Sequence, residues 1–206
     1  MARKNYNTLK NRDTFYIITN GEQTEYNYFK LLKSKKSIYD VKIKFENADP
    51  LGLVQYAINN IHNANQIWCV FDIDNTHRDN RLVPAITLAE QHGIKYAYSN
   101  KAFEVWLISH FTKCDRQMDI DDHKKVLDQY LKSIDSNLEY QKTDDKLLAK
   151  YFIGNYKQAV ENAKIVHQKY VKEHREKYGL NSKYCIWEWN SSTTVYKLVE
   201  ALKLEK

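Results

Sequence analysis

Apolar residues along this chain come in short, β-rich runs that alternate with longer stretches in which they recur every three or four positions. Thr14 to Thr19 (TFYIIT) reads as a buried strand, and Gln23 to Leu32 as a helix with Tyr26, Tyr28, Phe29 and Leu32 near helical spacing. Val41 to Phe45 alternates Val, Ile and Phe with two lysines, the period-two signature of a second strand. Asp49 and Pro50 form an N-cap and first-turn pair that opens a helix running to about His62. Ile67 to Asp72 is a third strand. Leu82 to His92 is a helix stopped by Gly93, and Ile94 to Ser99 is a fourth strand. Phe103 to Phe111 is a strongly apolar helix. After residue 115 the rhythm changes, and Asp119–Tyr130, Asp145–Phe152, Tyr156–Tyr178 and Thr193–Leu204 all read as helices.

Strands alternating with helices predict an α/β fold with a mostly parallel, four-stranded sheet flanked by helices. This α/β domain spans residues 13–115. A helical C-terminal region, 116–206, packs on it, and residues 1–12 form a basic N-terminal arm carrying Arg3, Lys4, Lys10 and Arg12 without an acid. In open sheets of this kind, ligands bind beyond the carboxyl ends of the strands. Three such ends are polar here: Asn20-Gly21-Glu22, Asp72-Ile73-Asp74 and Ser99-Asn100-Lys101.

The second of these ends carries the clearest chemistry. Asp72 and Asp74 are one residue apart, so an extended backbone points both carboxylates the same way. Like charges so placed repel unless a cation lies between them. Mg²⁺ (or Mn²⁺), with its demand for hard oxygen ligands, is the natural partner. The plainer alternative is that one Asp ends the strand and the other shapes a turn. Glu104 is a lone acid among Phe103, Val105, Trp106 and Leu107, either part of a site or a helix-start Glu bound to backbone amides. His77 follows the acid pair by three residues, placed for proton transfer or phosphate contact, or simply as a loop histidine beside Arg78 and Arg81. His110 reads as a histidine satisfied within its helix.

Composition narrows the function classes. The chain has 206 residues, a net charge of +6 and 16 tyrosines, and bases interleaved with aromatics suit nucleic acid. No apolar run approaches the length of a membrane span, and no secretory leader is evident. The cysteines, Cys69, Cys114 and Cys185, are unpaired in spacing, which points to a reducing, cytoplasmic setting without structural zinc. Neither a phosphate-binding GxxxxGK[ST] loop nor a GxSxG elbow is present.

An acidic cluster after the first strand and a DxD after a later one resemble the Toprim arrangement. More narrowly, Asn20–Phe29 (NGEQTEYNYF) resembles an EGExTExxYF motif, and Phe71–Asp74 an FDxD motif. Ser99–Phe111 (SNKAFEVWLISHF) is similar to SNPxFExWLLxHF, and Asn190–Val199 (NSSTTVYKLV) to NPSTxVxxLV. In this order the four motifs resemble the RloB-like family, a Toprim-related group linked to restriction loci and abortive infection. The resemblance implies a Mg²⁺-dependent nuclease, hydrolysing phosphodiesters of DNA or RNA in bacterial anti-phage defence, with an ATPase partner protein. It implies metal ligands at Asp72, Asp74 and an acid of the first motif. There the chain departs from the pattern, because Asn20 replaces a Glu, and an amide supplies neither charge nor a proton acceptor. Glu25 or Glu22 is the replacement ligand, the alternative being that both are acids favoured at a helix N-terminus. Lys142, in Tyr140-Gln141-Lys142, matches a YxK element and would neutralise a phosphate; a solvated linker lysine is the other reading. The competing function is a catalytically degenerate metal- or nucleic-acid-binding partner subunit of an ATPase-containing defence system. A nucleotide- or phosphate-binding protein ranks below both, since no glycine-rich loop follows a strand.

Overall fold

The computed structural model describes residues 12–35, 37–73 and 80–204, and omits the side chains of Leu180 and Ser182. The chain alternates β1 (Thr14–Thr19), α1 (Thr24–Leu32), β2 (Asp40–Phe45), α2 (Pro50–Asn59), β3 (Gln66–Asp72), α3 (Leu82–Gln91), β4 (Lys95–Asn100) and α4 (Glu104–Ile108). It continues through α5 (Ile120–Ile134), α6 (Asp145–Leu147), α7 (Tyr156–Tyr178), β5 (Ser192–Thr193) and α8 (Val195–Ala201). Asp49 caps α2 as its residue type demands: its Oδ1 accepts from the Gly52 amide at 2.8 Å, with Pro50 in the first turn. Gly93 leaves α3 at φ 67°, a left-handed conformation that glycine adopts without steric cost.

The sheet has five strands rather than the four expected, in the order β2-β1-β3-β4-β5. The first four run parallel, and β5 is antiparallel to β4 through Ser99↔Thr193 and Asn100↔Ser192. β5 is two polar residues long and has no alternation to betray it. Its hydroxyls do the joining: Thr193 Oγ1 lies 2.9 Å from Ser99 Oγ, and Thr194 Oγ1 accepts from the Tyr98 amide at 2.9 Å. The final helix therefore starts at Val195 and not at Thr193. Of the other helices, α5 runs to Ile134, beyond the expected Tyr130, and α4 is shorter than expected, ending at Ile108 before a pair of tight turns.

Side chains of β3 alternate between two cores. Trp68 and Val70 join a cluster with Tyr28, Trp106, Leu127, Leu148 and Val195, drawn from α1, α4, α5, α8 and the π-helical turn Leu148–Phe152. Ile67, Cys69 and Phe71 join the opposite cluster, with Leu53 of α2 and Ala85 of α3. One core thus contains residues of both 13–115 and 116–206. By the same alternation, Asp72 projects from the face of Val70, the side on which α1 and α4 pack. Both peptides Asn100–Lys101 and Asn190–Ser191 are cis. No helix among the described residues is long and apolar enough to cross a membrane.

Candidate functional site

The turn after β1 sets the first part of the site. Asn20 donates its backbone N–H to Val70 O at 3.2 Å, fixing the strand end against β3, and Thr19 Oγ1 donates to Gly21 O at 3.1 Å. Helix α1 then begins at Thr24, so Glu25 falls in its first turn and is buried, with 7% exposure. Glu22, one turn earlier, is exposed. Gly21 makes the burial of Glu25 possible: a Cβ at position 21 would sit 1.9 Å from Glu25 Oε2. Burial pushes the Glu25 carboxyl up to about 7. The Glu104 charge adds to this rise, while the residue's own backbone amide and Lys142 oppose it.

Glu104 opens α4 and is 4% exposed. A buried carboxylate there requires partners, and it has them. Tyr140 Oη donates to Glu104 Oε1 at 3.1 Å, and Lys142 Nζ lies 2.9 Å from the same oxygen. Burial, then the adjacent Glu104 charge, raises the Tyr140 phenol well above its usual range, so it remains a donor. Burial acts to lower the Lys142 ammonium, but Glu104, Glu25 and Asp72 together raise it, so Lys142 stays charged. Lys142 is thus tied to this cluster and is not a free linker lysine.

The structure brings Glu25, Glu104 and Lys142 together, with Asp72 within electrostatic reach of the lysine. Asp72 ends β3 in register with Ser99. Asp74 and His77 lie outside the described residues. His110, by contrast, is a core residue: Nδ1 faces Trp106 O at 3.0 Å and Nε2 faces Tyr28 Oη at 3.1 Å. His123 was not singled out by sequence. It is 1% exposed, both ring nitrogens lack a hydrogen-bond partner, and burial lowers its pKa while Glu104 raises it. Nothing in the polar run Asp121-Asp122-His123-Lys124 marks its burial; only its apolar neighbours at i+3 and i+4, Val126 and Leu127, do.

Among the described residues no three His, Cys, Asp or Glu side chains form a preassembled metal cage. The donor types nonetheless fit a hard divalent cation. Glu25 and Asp72 supply carboxylates, and Asn20 Oδ1 is buried without a hydrogen-bond partner. An orphaned carbonyl oxygen in that position is satisfied by a cation as well as by a donor.

The sequence profile of RloB-like proteins matches residues 15–202. No curated protein and no solved structure matches the chain. The matched span runs from β1 through α8 and takes in all four of the motifs that carry Glu25, Asp72, Glu104 and Thr193. The chain belongs to the RloB-like protein family.

Proposed function

We propose that this protein is a metal-dependent phosphodiesterase acting on nucleic acid, with a Toprim-like sheet and a role in bacterial anti-phage defence alongside an ATPase partner. The observation that supports it best is the pair of buried acids Glu25 and Glu104, following β1 and β4, with buried Tyr140 and the more exposed Lys142 both bonded to Glu104. Buried acids with shifted protonation and a specific charge partner cluster at functional sites. Glu25, Asp72, the Asn20 amide and Asp74 are the residues that would hold Mg²⁺ or Mn²⁺. A bound divalent ion supplies Lewis-acid stabilisation of phosphoryl oxygens and a more acidic water. Lys142 places a fixed positive charge beside that position, and Glu104 with Tyr140 holds the lysine in place. Glu25, with a carboxyl near 7, exchanges its proton around neutral pH.

The test is a cleavage panel of tRNA, single-stranded DNA and duplex DNA, each with Mg²⁺ or Mn²⁺, run beside Asp72→Ala and Glu25→Gln. Metal-dependent cutting that both variants abolish supports the reading. Absence of cutting, or cutting that persists in both variants, overturns it. One feature favours a second reading, a non-cutting metal- or nucleic-acid-binding subunit: Asn20 stands where the resembled motif carries a Glu, and its amide oxygen is left unpartnered. Gain of cleavage in Asn20→Glu identifies that case.

A further inference from the structure

β2 is an outer strand of the sheet and pairs only with β1. Val41 and Ile43 turn inward to the cluster of Trp68 and Val70, so Lys42 and Lys44 project from the opposite face, beside Tyr16 and Ile18 of β1. A recess of about 500 Å³ lies at this edge. It is lined by Tyr16, Lys42, Ile43, Lys44 and Asn63, together with Lys33 from the end of α1.

Three features define what the recess would bind. All three lysines are exposed, and no carboxylate is among the described residues that line it. Asp40 and Glu46, which flank Lys42 and Lys44 in the same alternation, stay outside the lining. None of the three lysines is ion-paired among the described residues, whereas Lys124, Lys125 and Lys132 of α5 each meet an acid. Lys42 and Lys44 are two residues apart on an extended strand, so their stems rise about 7 Å from each other. Lysines on an edge strand also keep sheets from pairing with one another. That role accounts for Lys42 and Lys44 but not for Lys33, which a different element brings to the same recess. Several ammonium groups without an acid among them suit a row of phosphates.

We propose that this recess holds the phosphate backbone of a nucleic-acid strand, away from the residues that would cut it. It extends the proposed action on nucleic acid and rests on that reading. Lys44 stands beside Ile18, two residues before Asn20, so a strand held here continues past the edge of β2 to the carboxyl ends of the sheet. Contacts of this kind position a strand without reading its bases.

Fluorescence anisotropy of a labelled single-stranded oligonucleotide, as DNA and as RNA, tests this with the full chain in EDTA over a range of salt. The expected result is saturable, salt-sensitive binding of at least one of the two. The combined variant Lys33→Gln, Lys42→Gln, Lys44→Gln is expected to weaken binding roughly tenfold or more and to make the slope of log K against log salt shallower by about 2, at about 0.7 per phosphate contact. Lys33→Gln alone weakens it in part. Lys124→Gln, Lys125→Gln, Lys132→Gln on α5 changes the net charge equally and should leave the affinity within about twofold. The proposal is overturned by no saturable binding of either strand, by unchanged affinity and salt slope in the first combined variant, by equal weakening in the α5 variant, by full affinity in Lys33→Gln, or by polyglutamate competing as well as the unlabelled oligonucleotide. Binding with the expected pattern in a protein that cuts nothing upholds the recess and counts against hydrolysis. Cutting with unaltered binding in the Lys33, Lys42, Lys44 variant does the reverse.

Discussion

Replacing Glu25 with Gln should make the metal-free protein more stable, and increasingly so as pH rises. The Glu25 carboxyl stands at about 7 in the folded chain and near 4.5 when unfolded. Below pH 4.5 both states are protonated and the residue contributes nothing to the pH dependence. Between 4.5 and about 7 the folded state retains a proton that the unfolded state has lost, so stability falls as pH rises. Above 7 the full cost applies, on the order of 3 kcal/mol for a displacement of this size. Gln mimics the protonated acid in shape and carries no charge to bury. The attraction of Lys142 is already contained in that displacement, and the buried amide that Gln introduces offsets part of the gain, which places the net gain at pH 8 at roughly 1–3 kcal/mol. Urea unfolding in EDTA, at intervals from pH 4.5 to 8.5, measures the difference between the two proteins. Other titrating groups cancel in that difference, including His110, whose pKa burial lowers to about 4. A difference that is flat with pH, or a Gln variant less stable than the parent at pH 8, would refute the account of Glu25 as a buried acid held at energetic cost.

The same proton couples to cation binding, so Mg²⁺ or Mn²⁺ affinity measured by titration calorimetry should rise between pH 6 and 8 with release of a proton, and Glu25→Gln should remove the pH dependence. Gly21→Ala would push its Cβ into the Glu25 carboxylate, 1.9 Å away, while leaving an unstrained backbone. Its melting temperature should stay close to the parent's, and cleavage should fall about a hundredfold, as misplacement by about 1 Å does elsewhere. Tyr140→Phe removes the phenol that donates to Glu104 at 3.1 Å, and should cost about 1.5 kcal/mol in urea unfolding, because Lys142 still serves the same oxygen.

Sequence patterning reached far into the fold because β1 and β3 are buried apolar runs, β2 alternates exposed lysines with apolar residues, and the α2 cap is spelled out by Asp49 and Pro50. It failed at β5, where pairing depends on Ser and Thr hydroxyls meeting the edge of β4, a tertiary event with no periodicity of its own. The site divides the same way. Strand-end logic and the motif resemblance locate Asp72, Glu104 and Glu25, but they leave Lys142 undecided, since nothing local says that a lysine in a charged loop reaches a buried acid across 38 residues of chain. That decision is made by α1, α4 and the 140–142 loop packing on one face of the sheet. His123 shows the converse, a polar-looking residue whose burial is set by the helix face beneath it. The departure of Asn20 from the motif that its surroundings resemble gains its meaning from this packing. A carboxylate at position 20, one residue before the glycine that abuts Glu25, would add negative charge to the site and raise the repulsion that Lys142 and a bound cation offset. An amide there lowers the electrostatic cost in the metal-free protein and, equally, the pull on a metal. Cation affinity should therefore rise in Asn20→Glu while metal-free stability falls, and the two changes should have a common origin in the added negative charge, which also moves the Glu25 carboxyl further up.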